Sequence, residues 1–297
     1  MFPTAPRLLF FAIIGCLPAI PLCAQTPAIG GGSCNSGSLN GTYSISLTGR
    51  QVTPAASGPG IFSNVIQANG SATFDGLSTV TVSLAANTNQ APGSTLTWSG
   101  TYSVQASCAG VITISAGGSA TLNVSIYNSG TDFLLSGSDS TYTYSGSGLT
   151  QPTGCSLATF SGVYTLTGTG YVLNGAAVSG ATSGSGLLQF DGQGHVTANI
   201  TTSLLGTPST ALTLTGTYTV SSSCLGSATL TDTSSNSYAM SFSIYNARVA
   251  STAFYATLQG SKLLLAGSGR ALYGQPASTA AHRDLPGPAL AAREERA

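Results

Sequence analysis

The chain offers few residues with which to do chemistry. Between Gln25 and Pro276 it holds nine charged residues and one histidine, His195. That histidine closes the stretch Asp191-Gly192-Gln193-Gly194-His195. Acid–base and nucleophilic catalysis need titratable groups brought together. One reading makes Asp191 and His195 a catalytic or metal-binding pair; the other makes Asp191 a turn-former and His195 an exposed first residue of a strand. A calcium loop needs several oxygen ligands, usually more than one carboxylate, and only Asp191 is local. Serine is abundant, but no G-x-S-x-G elbow stands in a strand-to-helix context. No phosphate loop of the G-x-x-x-x-G-K-[ST] type occurs. His282 falls in a polar tail and reads as solvated. The expectation is therefore no enzyme: no catalytic residues, no cofactor and no metal.

Charged residues make up 5% of the 297, against about 25% in ordinary domains. In their place stand 43 Ser, 39 Thr and 38 Gly. Net charge is zero, so no electrostatic footprint for nucleic acid exists. The apolar fraction of 42% is enough for a sizeable core. Arg7 precedes an apolar run from Leu8 to Cys23 that ends in Leu22-Cys23-Ala24, which reads as a secretory signal over 1–24. A lipoprotein signal ending at Cys16 is the rival reading. The run is too short to span a bilayer, and a secreted, periplasmic or cell-surface location is expected.

The chain repeats itself. Leu39-Asn40-Gly41-Thr42-Tyr43 matches Phe160-Ser161-Gly162-Val163-Tyr164, and Ala72-Thr73-Phe74-Asp75-Gly76 matches Leu188-Gln189-Phe190-Asp191-Gly192. Gly100-Thr101-Tyr102 recurs as Gly216-Thr217-Tyr218, and Ser125-Ile126-Tyr127-Asn128 as Ser243-Ile244-Tyr245-Asn246. Gly146-Ser147-Gly148 matches Gly267-Ser268-Gly269. A period of about 120 residues is a domain, not a solenoid rung. Two β-domains are expected, over 33–150 and 154–274, followed by a disordered tail over 275–297. In the first copy Thr79 stands where the second has His195, so the Asp–His pair is not a property of the unit.

Period-two alternation in Tyr43–Leu47, Val80–Leu84, Leu122–Tyr127 and Leu212–Val220 predicts half-buried antiparallel strands. Asn69-Gly70, Asp75-Gly76, Asn128-Ser129-Gly130 and Asp191-Gly192 read as hairpin signals. Residues 51–60 read as a longer loop. The expected fold is all-β: a closed eight-stranded up-and-down barrel per repeat, with a two-sheet β-sandwich as the rival.

Four cysteines remain after the signal: Cys34, Cys108, Cys155 and Cys224. They allow three disulfide connectivities. Cys34 and Cys155 are repeat-equivalent, as are Cys108 and Cys224. A bridge closed before duplication survives in both copies, which gives Cys34–Cys108 and Cys155–Cys224. Tyr43, Tyr102, Tyr164 and Tyr218 recur at matched positions, and either line an apolar pocket or belong to the core with satisfied hydroxyls. The sequons at Asn40, Asn69, Asn123 and Asn199 are what a Ser/Thr-rich chain produces by chance.

The order L-x-G-x-Y, F-D-G, G-T-Y-x-V, C-x-G and a final Gly-rich strand resembles exported soil-bacterial proteins with tandem calycin-like barrels. Tyr43 and Tyr164 stand where lipocalins carry the Trp of their G-x-W opening. The resemblance would place Arg270 across that ring in the second repeat, where the first has Leu149. It implies a fold, not an activity. The functional expectation is a non-enzymatic exported protein whose twin β-domains bind an apolar small molecule or a surface partner. A structural or adhesive cell-surface role against cell-wall polymers is the alternative, and a barrel isomerase a third.

Overall fold

The computed structural model describes residues 33–53, 61–91, 93–204, 207–208, 211–246 and 252–272. The expected signal over 1–24 with Cys16, and the tail with His282, lie outside them.

Eight strands form the first barrel: β1 (Asn40–Thr53), β2 (Ile61–Asp75), β3 (Thr79–Thr88), β4 (Ser94–Val104), β5 (Ala109–Ala116), β6 (Ala120–Tyr127), β7 (Asp132–Asp139) and β8 (Thr143–Thr150). Each pairs antiparallel with the next, and β8 returns to β1 to close the sheet, with Ile45 opposite Gly148. The second barrel follows the same up-and-down course through β9 (Gly162–Asn174), β10 (Ala177–Phe190), β11 (His195–Leu204), β13 (Leu212–Val220), β14 (Leu225–Asp232), β15 (Ser237–Asn246), β16 (Thr252–Gly260) and β17 (Leu263–Ala271). Two short residues, β12 (Thr207–Pro208), pair on the edge of β11. Closure leaves neither sheet with a free long edge, and this settles the choice between barrel and sandwich.

The alternation explains the core. In β6, Ala120, Leu122, Val124 and Ile126 point inward and are buried, while Thr121, Asn123 and Ser125 point outward and are exposed. Inward residues of all eight strands meet as one apolar cluster per barrel. The lead-in segments plug one end of each: Leu39 and Phe160 are fully buried. Disulfides Cys34–Cys108 and Cys155–Cys224 hold the plugs, with sequence separations of 74 and 69.

Two turn expectations fail. Asn69-Gly70 is no hairpin: it lies mid-strand in β2, opposite Ser46 and Ile45. A Cβ on Gly70 would sit 2.0 Å from the Ser83 carbonyl oxygen, so glycine is there for close strand approach rather than for a turn. The loop expected over 51–60 is shorter on its first side, since β1 continues through Thr53; residues 54–60 lie outside the described set.

The barrels dock side by side through faces that overlap in repeat-equivalent strands but do not coincide. The outer face of β1, β2, β3 and β8 meets the outer face of β9, β10, β15, β16 and β17. Strand β16 is accordingly buried on both sides. Because β15–β17 correspond to β6–β8 of the first barrel, the contact is heterologous, not a two-fold pairing.

Candidate functional site

Every described aspartate is engaged locally. Asp75 Oδ1 accepts the backbone N–H groups of Leu77, Ser78 and Thr79 at 2.8–2.9 Å, and the Thr79 hydroxyl donates to Oδ2 at 2.5 Å. Asp191 Oδ1 accepts from Gln193 and His195 N–H, and its Oδ2 lies 2.7 Å from His195 Nδ1. Thr79 and His195 therefore fill one seat in two copies of one turn. The imidazole is 72% exposed and faces no cleft residue among those described below. The Thr79 hydroxyl and the turn amides hold the Asp75 carboxyl well below the ordinary range. At Asp191 desolvation pushes upward, but donors from His195 and Gln193 outweigh it and bring the group down to about 2. Asp139 and Asp232 clasp their own turns in the same way. Asp132 is buried and takes the Asn128 amide at 2.6 Å. This arrangement is turn chemistry. Among the described residues no group of three or more His, Cys, Asp or Glu could hold a metal ion.

The four repeated tyrosines sit at the plugged ends with hydroxyls bonded. Tyr43 donates to the Gly130 carbonyl at 2.8 Å, and Tyr102 to Leu39 and Ser36 carbonyls. Tyr218 donates to the Phe160 carbonyl at 3.0 Å and accepts from Gly192 N–H; Tyr164 reaches the Ser161 carbonyl at 3.4 Å. Burial pushes all four phenols upward, so they stay neutral donors. Their rings pack edge-on against Phe74 and Phe190 at 4.8–5.6 Å. These are packed cores rather than pockets. The residual cavity of the first barrel is about 20 Å³ and wholly apolar, room for about one water and far below the ~300 Å³ of a ligand site. In the second, Phe160 stacks on Phe242 at 5.0 Å and lies 4.7 Å from Phe190.

Arg270 does not cross the Tyr164 ring as the lipocalin resemblance implies. It lies at an outward position of β17, opposite Ala253 and Thr165, and its charge sits near the Tyr245 hydroxyl and lowers it against the upward push of burial. The parity of β17 sends Leu265, Gly267 and Gly269 inward and Arg270 out.

The junction of the barrels is where side chains converge beyond the needs of either core. Val65 packs with Leu173 and Leu264 at one place, and Leu149 with Tyr245, Ala253 and Tyr255 at another. Between them runs a buried polar network. Asn87 Nδ2 donates to Thr257 Oγ1 at 2.8 Å, Thr257 Oγ1 lies 2.7 Å from Ser241 Oγ, and Ser241 Oγ donates to Asn69 Oδ1 at 2.8 Å. Ser44 Oγ donates to the Ile244 carbonyl, and Tyr255 and Ser147 share a hydroxyl bond of 2.8 Å. Three buried atoms there have no partner: Gln67 Oε1, Ser243 Oγ and Gln259 Oε1.

Two clefts flank this contact. The larger, about 560 Å³, runs between Ser46 and Thr48 of β1 and a hydroxyl-rich face built from Thr167, Thr169, Ser183, Ser185, Thr201 and Ser268. The smaller, about 350 Å³, lies between the β3–β4 loop, the β9–β10 turn, and the start of β15 with the end of β16. Neither has a charged lining residue. Sequence reasoning missed these positions because outward Asn, Gln, Ser and Thr read alike on a solvated or a covered face. The one available signal was the apolar run Ala253-Phe254-Tyr255-Ala256, which lacks the alternation of its neighbours. No helix among the described residues is long and apolar enough to cross a membrane. No protein-family model matches the chain, and a comparison with curated proteins finds no similar one.

Proposed function

We propose that this is a non-enzymatic exported protein that holds a surface partner against the outside of its twin barrels, at their junction. The observation that carries this reading is the contrast between interior and exterior. The first lumen has room for about 20 Å³, whereas the junction carries uncharged, hydroxyl-lined clefts of about 560 and 350 Å³. A carrier of apolar small molecules needs an open lumen, so of the two binding readings the surface partner is preferred. The engagement of Asp75, Asp139, Asp191 and Asp232 in their own turns argues against acid–base catalysis. Two disulfides are compatible with an oxidising, extracellular setting.

Native mass spectrometry of protein from its own host, paired with pelleting on insoluble cell-wall polysaccharide, tests the reading. The expected result is no retained lipophilic molecule and co-sedimentation with the polymer. A stoichiometric apolar ligand would overturn it.

A further inference from the structure

We infer that Asn174 is a self-modifying site: the backbone nitrogen of Gly175 displaces its side-chain amide, and the acidic residue formed there loosens the junction of the barrels. The inference is independent of which partner the junction holds.

Asn-Gly occurs in the chain as Asn40-Gly41, Asn69-Gly70 and Asn174-Gly175. Glycine has no side chain to shield its own nitrogen, so in each pair that nitrogen can attack the preceding carboxamide. The fold treats the three differently. Asn69 is buried in mid-strand; its Oδ1 accepts the Ser241 and Thr257 hydroxyls and its Nδ2 donates to the Tyr255 carbonyl. The Ser83 carbonyl oxygen stands 2.0 Å from where a Cβ of Gly70 would be, which leaves no room for a tetrahedral centre. Asn40 is exposed but held from both sides: the preceding Leu39 carbonyl accepts the Tyr102 hydroxyl at 2.9 Å, and Gly41 pairs opposite Phe74. Asn174 closes a two-residue hairpin, opposite Ala177, with Gly175 at φ +61°. Asn174, Gly175 and Ala176 are all exposed, and no atom lies within 4 Å of where a Gly175 Cβ would stand. Exposed loop tips are where such local change is tolerated.

The chemistry needs only water. The Gly175 nitrogen gives up its proton and bonds to Asn174 Cγ; the Cγ–Nδ2 bond breaks and Nδ2 leaves with a proton as ammonia. Water then opens the cyclic imide. Cleavage at Cγ leaves aspartate, and cleavage at the backbone carbonyl leaves isoaspartate, whose main chain is longer by one methylene. Either product reaches the barrel contact. The Ala176 carbonyl, two residues on, accepts Asn89 Nδ2 of the first barrel at 2.6 Å. A longer main chain breaks the opposition of Asn174 and Ala177 that sets this turn. A new carboxylate also stands beside Gly175 and Ala176, which line a cleft with no charged residue, so nothing there offsets its desolvation.

The test is incubation of the folded two-barrel protein at mildly alkaline pH, with peptide mapping and isoaspartate detection at all three asparagines. Asn174 should convert at least about tenfold faster than Asn40 or Asn69, a barrier difference of about 1.4 kcal/mol. In urea, where the fold no longer distinguishes them, the three rates should converge. As conversion proceeds, the amide NMR signals of Asn89 and Ala176 should move while those of Tyr43 and Tyr218 at the plugged ends stay in place. Asn174→Ser should stop this drift, and Asn174→Asp should show part of it from the start. Asn40 or Asn69 converting as fast as Asn174 in the folded protein, or the same ranking persisting in urea, would sink the assignment of the site. Converted protein with unmoved Asn89 and Ala176 signals would sink its link to the junction.

Discussion

Gln67 of the first barrel donates from Nε2 to the Thr169 carbonyl of the second at 3.1 Å. Its repeat-equivalent in the second barrel is Ser183, which has neither the length nor the amide to make such a reach. The same asymmetry holds across the contact. Asn69, Asn87 and Thr257 carry the network, and their counterparts are Ser185, Ser203 and Ser136. A heterologous contact between identical domains would propagate into a ring or a filament. Divergence at these positions confines docking to one face of each barrel.

The Thr257 hydroxyl is the hub of that contact, within 2.7–3.2 Å of Ser241, Asn87 and Asn69. Thr257→Val keeps the shape and leaves those partners short of a bond in a buried place. It should destabilise docking by about 1–3 kcal/mol. Urea unfolding should resolve the loss, and Thr257→Ser should restore most of it. A valine variant as stable as the wild type would mean that the network contributes nothing.

The plugs depend on their bridges. Cys34–Cys108 closes a separation of 74 residues, worth about 4 kcal/mol in the chain-entropy picture. Replacing both cysteines by serine should lower the melting temperature of the first barrel and free the Tyr102 hydroxyl from the Leu39 carbonyl. The second barrel, with its own bridge and core, should melt as before. Calorimetry separates the outcomes: a common drop in both transitions would argue for one cooperative unit.

The turn aspartates set the acid limit. Asp191 titrates near 2 in the fold against about 3.9 in an unfolded chain, and Asp75 is lowered further by the Thr79 hydroxyl. A carboxyl lowered on folding adds stability that is complete above the unfolded value and is lost as pH falls through the folded one. Stability should therefore decline from about pH 4 downward. Carboxyl carbon NMR titration should find Asp75 shifted upward in Thr79→Val and little changed in Thr79→Ser. An unmoved Asp75 in the valine variant would remove the hydroxyl from the explanation.

Much of the architecture was legible because each barrel strand faces core on one side and water on the other. Val80, Val82 and Leu84 inward with Thr79, Thr81 and Ser83 outward can be read directly. The duplication fixed strand equivalence and the cysteine pairing. Asn69-Gly70 misled because the dipeptide has two uses: it permits a tight turn, and it also gives a flat, small surface where strands or barrels approach closely. Gln259 was illegible for a different reason. An outward glutamine has no signature of burial until the partner face that covers it is known, and that face lies 171 residues away at Thr88.

The repeated Gly-Ser-Gly motif is dictated by packing. Gly148 on β8 and Gly269 on β17 each lie beneath an aromatic ring of the preceding strand. A Cβ on Gly148 would stand 2.2 Å from Phe133 Cζ, and one on Gly269 2.3 Å from Phe254 Cζ. Both phenylalanines are fully buried, and Phe133 packs on Tyr43 at 5.2 Å as Phe254 packs on Tyr164 at 5.6 Å. A methyl group at either glycine must displace a ring that has nowhere to go, because the adjoining lumen has no spare volume of that size in the first barrel. Gly148→Ala and Gly269→Ala should each cost about 1–3 kcal/mol through overpacking, each in its own barrel. Pairing Gly148→Ala with Phe133→Leu should recover part of the loss by removing the ring edge that clashes. Thermal melts of the single and double variants check this, and an additive double variant would mean that the glycine is kept for some reason other than the phenylalanine above it.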